Sequence, residues 1–150
     1  EPSAAMRSLA LRRGANVSAG TAESLPVEDG AYDFALLVTV DCFFEAPESA
    51  FREVNRVLKA KGYVIVGLID KDSKSGKKYE KNKSESKFYK NAAFHSVVEI
   101  RESLEKAGFS NIECVQAILP GDTNENYKPV IKQGYGEGSF VVLRAQKHDA

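Results

Sequence analysis

The stretch Tyr32-Asp33-Phe34-Ala35-Leu36-Leu37-Val38-Thr39-Val40 is almost unbroken in apolar residues. A strand with one wet face alternates apolar and polar residues. A strand of a parallel sheet, covered by helices on both faces, does not. The stretch therefore predicts a parallel strand buried on both sides. Tyr63-Val64-Ile65-Val66-Gly67-Leu68-Ile69 predicts a second one of the same kind. Between them Pro47 stands where a helix would start. Ala50, Val54, Val57 and Leu58 supply that helix's buried stripe, and Gly62 lies shortly beyond its end.

Working outward, Ser3 to Arg13 reads as a helix. Ser3 is its cap, Ala5, Met6, Leu9 and Ala10 form one face, and Gly14 ends it. A short strand is expected around Asn16 to Ala19, then a polar connection from Gly20 to Gly30. Downstream, Lys71 to Lys90 holds eight lysines against Asp72, Glu80 and Glu85. With little apolar periodicity, it predicts a solvated excursion. Ser96-Val97-Val98-Glu99 is a capping box. It opens a helix lined by Val97, Ile100, Leu104 and Ala107, which Gly108 ends. Ile112 to Ile118 and Ser139 to Ala145 are strands, joined through the turn Gly134 to Gly138. The order is helix, strand, strand, helix, strand, helix, strand, strand. Such alternation predicts an α/β sheet with helices on both faces, closing in an antiparallel pair.

A chain of 150 residues, 43% hydrophobic, suits one domain. Its 21 basic and 21 acidic residues balance, so no overall field favours nucleic acid or a membrane surface. No apolar run approaches a membrane span. Two cysteines, Cys42 and Cys114, in a chain of this size point to a reduced, cytoplasmic protein. His95 and His148 lack ligand-type spacing, so no metal is expected.

Two runs carry a family resemblance. One is Gly20-Thr21-Ala22-Glu23-Ser24-Leu25-Pro26 continuing to Tyr32-Asp33. The other is Phe51-Arg52-Glu53-Val54-Asn55-Arg56-Val57-Leu58-Lys59-Ala60-Lys61-Gly62-Tyr63-Val64-Ile65-Val66. With their spacing, and with Ala107-Gly108-Phe109 before a strand, they resemble class I S-adenosylmethionine-dependent methyltransferases, in particular the small-molecule enzymes that include quinone-biosynthesis methyltransferases. The resemblance covers roughly Glu1 to Ile118. It implies a doubly wound, mostly parallel, Rossmann-like sheet whose final strand is inserted antiparallel. It also implies that the domain is incomplete at its N-terminus, with the glycine-rich cofactor loop and one or more strands upstream of Glu1. The activity of residues 1–150 alone is then in question. The sole glycine cluster, Gly134 to Gly138, precedes a strand and not a helix, so it is read as a turn.

The same resemblance implies S-adenosylmethionine as cofactor and S-adenosylhomocysteine as product, with Glu1, Pro2, Met6, Thr21, Ala22, Glu23, Leu25 and Val38 around it. Glu1 would accept from the ribose hydroxyls, as a two-oxygen acceptor can; otherwise it is simply a terminal residue. Thr21 stands where the family usually has aspartate at the adenine, and Ala60-Lys61-Gly62 where it has Pro-Gly-Gly. Asp41 is the catalytic candidate, able to orient or deprotonate a nucleophile; equally it is a turn residue at a helix entry. Residues 71–93 would form a lid or insertion over a small-molecule acceptor, with Phe43, Tyr79, Phe88, Tyr89 and Phe94 as candidate walls; alternatively the loop aromatics anchor the segment to the sheet. The sheet's exposed strand edges allow a homo-oligomer. Two rivals stay open: a nicotinamide-dependent Rossmann oxidoreductase, and a degenerate methyltransferase serving as a non-catalytic binding subunit.

Overall fold

The computed structural model describes residues 1–119 and 128–148. Four helices and five strands follow one another as α1 (Ala4–Arg12), β1 (Tyr32–Val38), α2 (Pro47–Val57), β2 (Leu58–Ile69), α3 (Lys74–Asn82), α4 (Val97–Lys106), β3 (Phe109–Ile118), β4 (Val130–Gln133) and β5 (Phe140–Lys147). The strands form one sheet in the order β1-β2-β5-β3-β4. β1 pairs with β2 in parallel. β5 lies antiparallel between β2 and β3, and β4 runs antiparallel along β3. β1, β2 and β3 thus point the same way, with the last strand inserted against them.

One face of this sheet is the core. Leu37, Val64, Val66, Leu68, Val141, Leu143, Ala145 and Cys114 pack with Ala50, Phe51 and Val54 of α2 and with Val97, Ile100 and Leu104 of α4. The opposite face is open. Phe34, Leu36 and Val38 are exposed along β1, and register places Tyr63, Ile65 and Gly67 of β2 beside them. The expectation of a strand buried on both sides is therefore corrected: β1 reads as doubly buried, yet no described helix covers that side. For the same reason α1 contributes no buried residue, although Ser3 caps it as expected by accepting from the Met6 amide.

Other expectations also change. No strand forms around Asn16 to Ala19; among the described residues no strand pairs with the segment, and Ser18 O accepts from Glu1 N. Leu58 belongs to β2 and not to the α2 stripe. The lysine-rich segment is not simply an excursion: α3 starts at Ser73, whose hydroxyl accepts from the Gly76 amide. β4 was not visible in the sequence, since all four of its residues are exposed. The turn Gly134 to Gly138 leads from β4 to β5, two strands that flank β3 and do not pair with each other. The capping box of α4 forms in full: Ser96 Oγ accepts from Glu99 N and Glu99 Oε2 from Ser96 N.

Two devices fix the ends of the sheet. The buried amide oxygen of Gln116 accepts from the backbone N–H groups of Glu137 and Gly138, at 2.8 and 2.7 Å. On α2, Glu53 and Arg56 hold the polar connection that precedes β1. Glu53 Oε2 accepts from the Leu25 amide at 2.9 Å. Arg56 donates to the carbonyls of Val27 and Leu25 and pairs with Asp29 and Glu53. The Arg56 hydrogen bonds, then the one from Leu25, hold the Glu53 carboxyl down at about 2.

Two outcomes are expected. In the full-length protein, Gly138→Ala should destabilise by about 1–3 kcal/mol in urea unfolding, because an added Cβ meets the Ala117 backbone, which cannot move aside. A stability equal to the parent would show the turn can shift. A carboxylate with a lowered folded pKa stabilises fully above its unfolded value, near 4.5, and loses that contribution as pH falls toward about 2. Glu53→Gln should therefore cost about 1 kcal/mol at pH 7 and flatten the loss of stability between those two pH values. An unchanged acid profile by circular dichroism would remove Glu53 from this role.

Candidate active site

Parallel strands place functional residues at their carboxyl ends, where the chain leaves the sheet. At the end of β1 the backbone turns sharply. Thr39 sits in the left-handed region, φ 51°, and its amide donates to Gly67 O at 2.7 Å. A β-branched residue there is unusual and strained. The turn delivers a short 3₁₀ segment, Asp41–Phe43.

Asp41 is buried, 4% exposed. Its Oδ2 lies 3.5 Å from His95 Nδ1, a nitrogen that is itself buried and makes no hydrogen bond of good geometry. The contact is thus an approach of two polar groups and not a formed bond. Cys42 is held beside them by burial against Ala92 and Phe94, and its carbonyl accepts from Ala93 N. Burial, then the Asp41 carboxylate, pushes the Cys42 thiol up to about 11; a protonated, enclosed thiol is a poor nucleophile.

Phe43 turns outward and stacks on Tyr89, ring centroids 6.1 Å apart. Tyr89 also meets Tyr79 at 5.6 Å and Phe94 at 5.7 Å, and Tyr79 meets Phe94 at 5.8 Å. Four of the five aromatic candidates therefore gather into one cluster above the 3₁₀ segment. Phe88 does not join them: it is 81% exposed. Beside the cluster a cleft of about 460 Å³ opens between α3 and the following segment, lined by Ser75, Lys78, Tyr79, Asn82, Lys83, Ser86 and Tyr89.

The cofactor candidates fall in three places. At the N-terminus, Glu1 Oε1 accepts from Ser3 N, leaving Oε2 without a protein partner among the described residues. Arg7 pins the segment by donating to the carbonyls of Glu1 and Pro2. Met6, one turn along α1, is exposed. The Glu1 amine reaches Ser18 O at 3.2 Å, which brings this end toward the second group. There Thr21 and Ser24 close a small turn, with Ala22 packed on the core. The Glu23 carboxylate accepts from Glu45 N at 2.9 Å, which ties the turn to the chain beyond the 3₁₀ segment, and Leu25 is held by Glu53. The third place is Val38, exposed at the end of β1. The open carboxylate oxygen of Glu1 is an acceptor of the kind a ribose hydroxyl needs, and the exposed Met6 and Val38 offer apolar surface.

His95, Arg7 and the Glu53–Arg56 pair were missed in the sequence. His95 lies 54 residues from Asp41 in number, and no local spacing announces the contact. Glu53 and Arg56 stand at helical i,i+3 spacing inside a run quoted above, so that signal was present. Among the described residues no three His, Cys, Asp or Glu side chains come together as a metal site, and no helix is long and apolar enough to cross a membrane.

Residues 1–66 match a family model described as a methyltransferase domain. The chain is 47% identical to a S-adenosylmethionine-dependent methyltransferase of Thermotoga maritima, described as a possible histamine N-methyltransferase. The two structures superpose with a TM-score of 0.89 over 98% of this chain and 71% of that one. An uncharacterized protein of Methanocaldococcus jannaschii is 44% identical over 142 residues, 95% of this chain and 69% of the relative. One from Mycobacterium bovis is 26% identical, and the chain spans 54% of its length. A S-adenosylmethionine-dependent methyltransferase from Mesorhizobium loti, at 16% identity and TM-score 0.70 over 98% of this chain and 78% of that one, shares the fold. The likeness to the Thermotoga protein sets aside the nicotinamide-dependent alternative, and with it the chain belongs to the class I S-adenosylmethionine-dependent methyltransferases.

Proposed function

We propose that this methyltransferase acts on a small-molecule acceptor held between the end of β1 and α3. The observation that carries the reading is the aromatic cluster Phe43, Tyr79, Tyr89 and Phe94, set over a buried Asp41 and opening into a cleft of small-molecule size. S-adenosylmethionine supplies an already activated methyl group, so positioning and exclusion of water can provide much of the acceleration. Glu1, Pro2 and Met6 hold the ribose side, with Glu1 Oε2 accepting from a hydroxyl. Thr21, Ala22, Glu23 and Leu25 hold the adenine side, and Val38 lies beneath. Phe43, Tyr79 and Tyr89 orient the acceptor, while Phe88 stands at the rim. Asp41 acts through His95, because its carboxylate faces that ring and not solvent. Residues 71–93 form the cover of this site. Both cysteines are buried and free, which supports a reducing, cytoplasmic setting.

Calorimetry of the full-length protein tests the cofactor assignment. S-adenosylhomocysteine should bind, and Glu1→Ala should weaken it by about 1–3 kcal/mol; equal affinity would take Glu1 out of the site. In the same samples, hydrogen exchange at residues 71–93 should slow when ligand binds, and no change there would end the cover role. Turnover of S-adenosylmethionine separates an enzyme from a binding-only subunit.

The exposed row Phe34, Leu36 and Val38, on a strand paired along one side only, supports association through that edge. It takes either further strands of a longer protein or a second copy. Residues 1–150 expressed alone should sediment as dimers or larger species; a monomer that unfolds cooperatively would contradict this.

A further inference from the structure

The cleft beside α3 has a definite chemistry. Ser75, Lys78, Tyr79 and Asn82 recur at helical spacing along one face of α3, and Lys83, Ser86 and Tyr89, beyond the end of the helix, complete the lining. No acidic side chain lines it. Lys83 is part of the scaffold: its ammonium pairs with Glu80 at 2.6 Å and donates to Ala92 O at 3.2 Å. Lys78 has no carboxylate within ion-pair distance among the described residues, so its charge is unopposed. Ser86 Oγ already accepts from the Phe88 and Tyr89 amides at 3.2 and 3.1 Å, which leaves its proton to donate. The lining thus presents donors and one free positive charge, next to the flat faces of Tyr79 and Tyr89.

We propose that this cleft takes the methyl acceptor by an anionic group, a carboxylate or phosphate, bound at Lys78 and Ser86 with an aromatic body against Tyr79 and Tyr89. The inference rests on the reading of residues 71–93 as the cover of the acceptor site. An anion replaces part of its lost hydration with hydrogen bonds to Lys78 and the hydroxyls, which are strongest when one partner is charged. A cationic amine such as histamine meets like charge at Lys78 and finds no carboxylate in the lining to offset its desolvation. The acceptor class therefore differs from the one named for the Thermotoga relative.

The test uses full-length protein saturated with S-adenosylhomocysteine, titrated separately with 4-hydroxybenzoate, phenyl phosphate and histamine and followed by amide NMR. One or both anions should bind and shift the amides of Ser75, Asn82 and Ser86, and which one binds separates carboxylate from phosphate. Lys78→Gln should weaken that anion by about five-fold while leaving S-adenosylhomocysteine affinity unchanged, and Lys78→Arg should restore it. Lys81→Gln, on the same helix but outside the cleft lining, should have no effect. Preferential binding of histamine, or anion affinity indifferent to Lys78→Gln, overturns the proposal. Failure of both anions with S-adenosylhomocysteine bound overturns this assignment alone. Failure of S-adenosylhomocysteine itself overturns the reading on which it rests as well.

Discussion

The packing of α2 and α4 on a single face of the sheet governs the rest of the molecule. Phe51, Val54, Ile100 and Leu104 bury Val64, Val66 and Leu68 on β2, and Val141 and Leu143 on β5. Burial of each such side chain is worth about 1.5–3 kcal/mol, so the position of β2 and β5 is strongly determined. The inward side chains of β5, which lies between β2 and β3, pack in the same cluster as those two helices. That order sets β1, β2 and β3 running together and gathers their carboxyl ends on one edge, where Asp41, Cys42 and Phe43 follow β1.

From this base the site is held by polar ties more than by bulk. Glu53 and Arg56 project from α2, which the core has already fixed, and they reach back to the connection before β1. Glu23 joins that connection to the chain after the 3₁₀ segment. The turn Thr21 to Ser24 and the chain after the 3₁₀ segment are therefore positioned by the same helix. A charge-assisted tie of this kind is stronger than a neutral one, and it holds the Glu53 carboxyl below the usual carboxylate range.

Much of the fold was legible because its signals are local. The apolar runs at Phe34 to Val38 and Tyr63 to Ile69 marked the parallel pair β1 and β2, and Ser96 with Glu99 marked the start of α4. What stayed hidden depended on partners distant in sequence. β4 exists because β3 offers it an edge, while its own residues show no buried pattern. α3 has no apolar stripe, and Gly76 is its one buried residue. The segment 16–19 has strand character, but no strand among the described residues pairs with it. At the site, Phe43, Tyr79, Tyr89 and Phe94 could be named because the family resemblance sets their segments beside an acceptor, and they do meet. Composition could not show that Phe88 points away, nor that Asp41 and His95, far apart in the chain, face each other.

Thr39 has a consequence for how portable this architecture is. Its left-handed backbone, φ 51°, is about 1–3 kcal/mol above what a threonine prefers, and the hydrogen bond to Gly67 O helps to keep it there. The shape of the segment bearing Asp41, Cys42 and Phe43 is thus imposed by β2 and not encoded in its own residues. Excised as a peptide, or grafted onto a scaffold without a carbonyl at the Gly67 position, the segment would relax to an ordinary extended form and its side chains would scatter. The arrangement at the end of β1 travels only with the strand beside it.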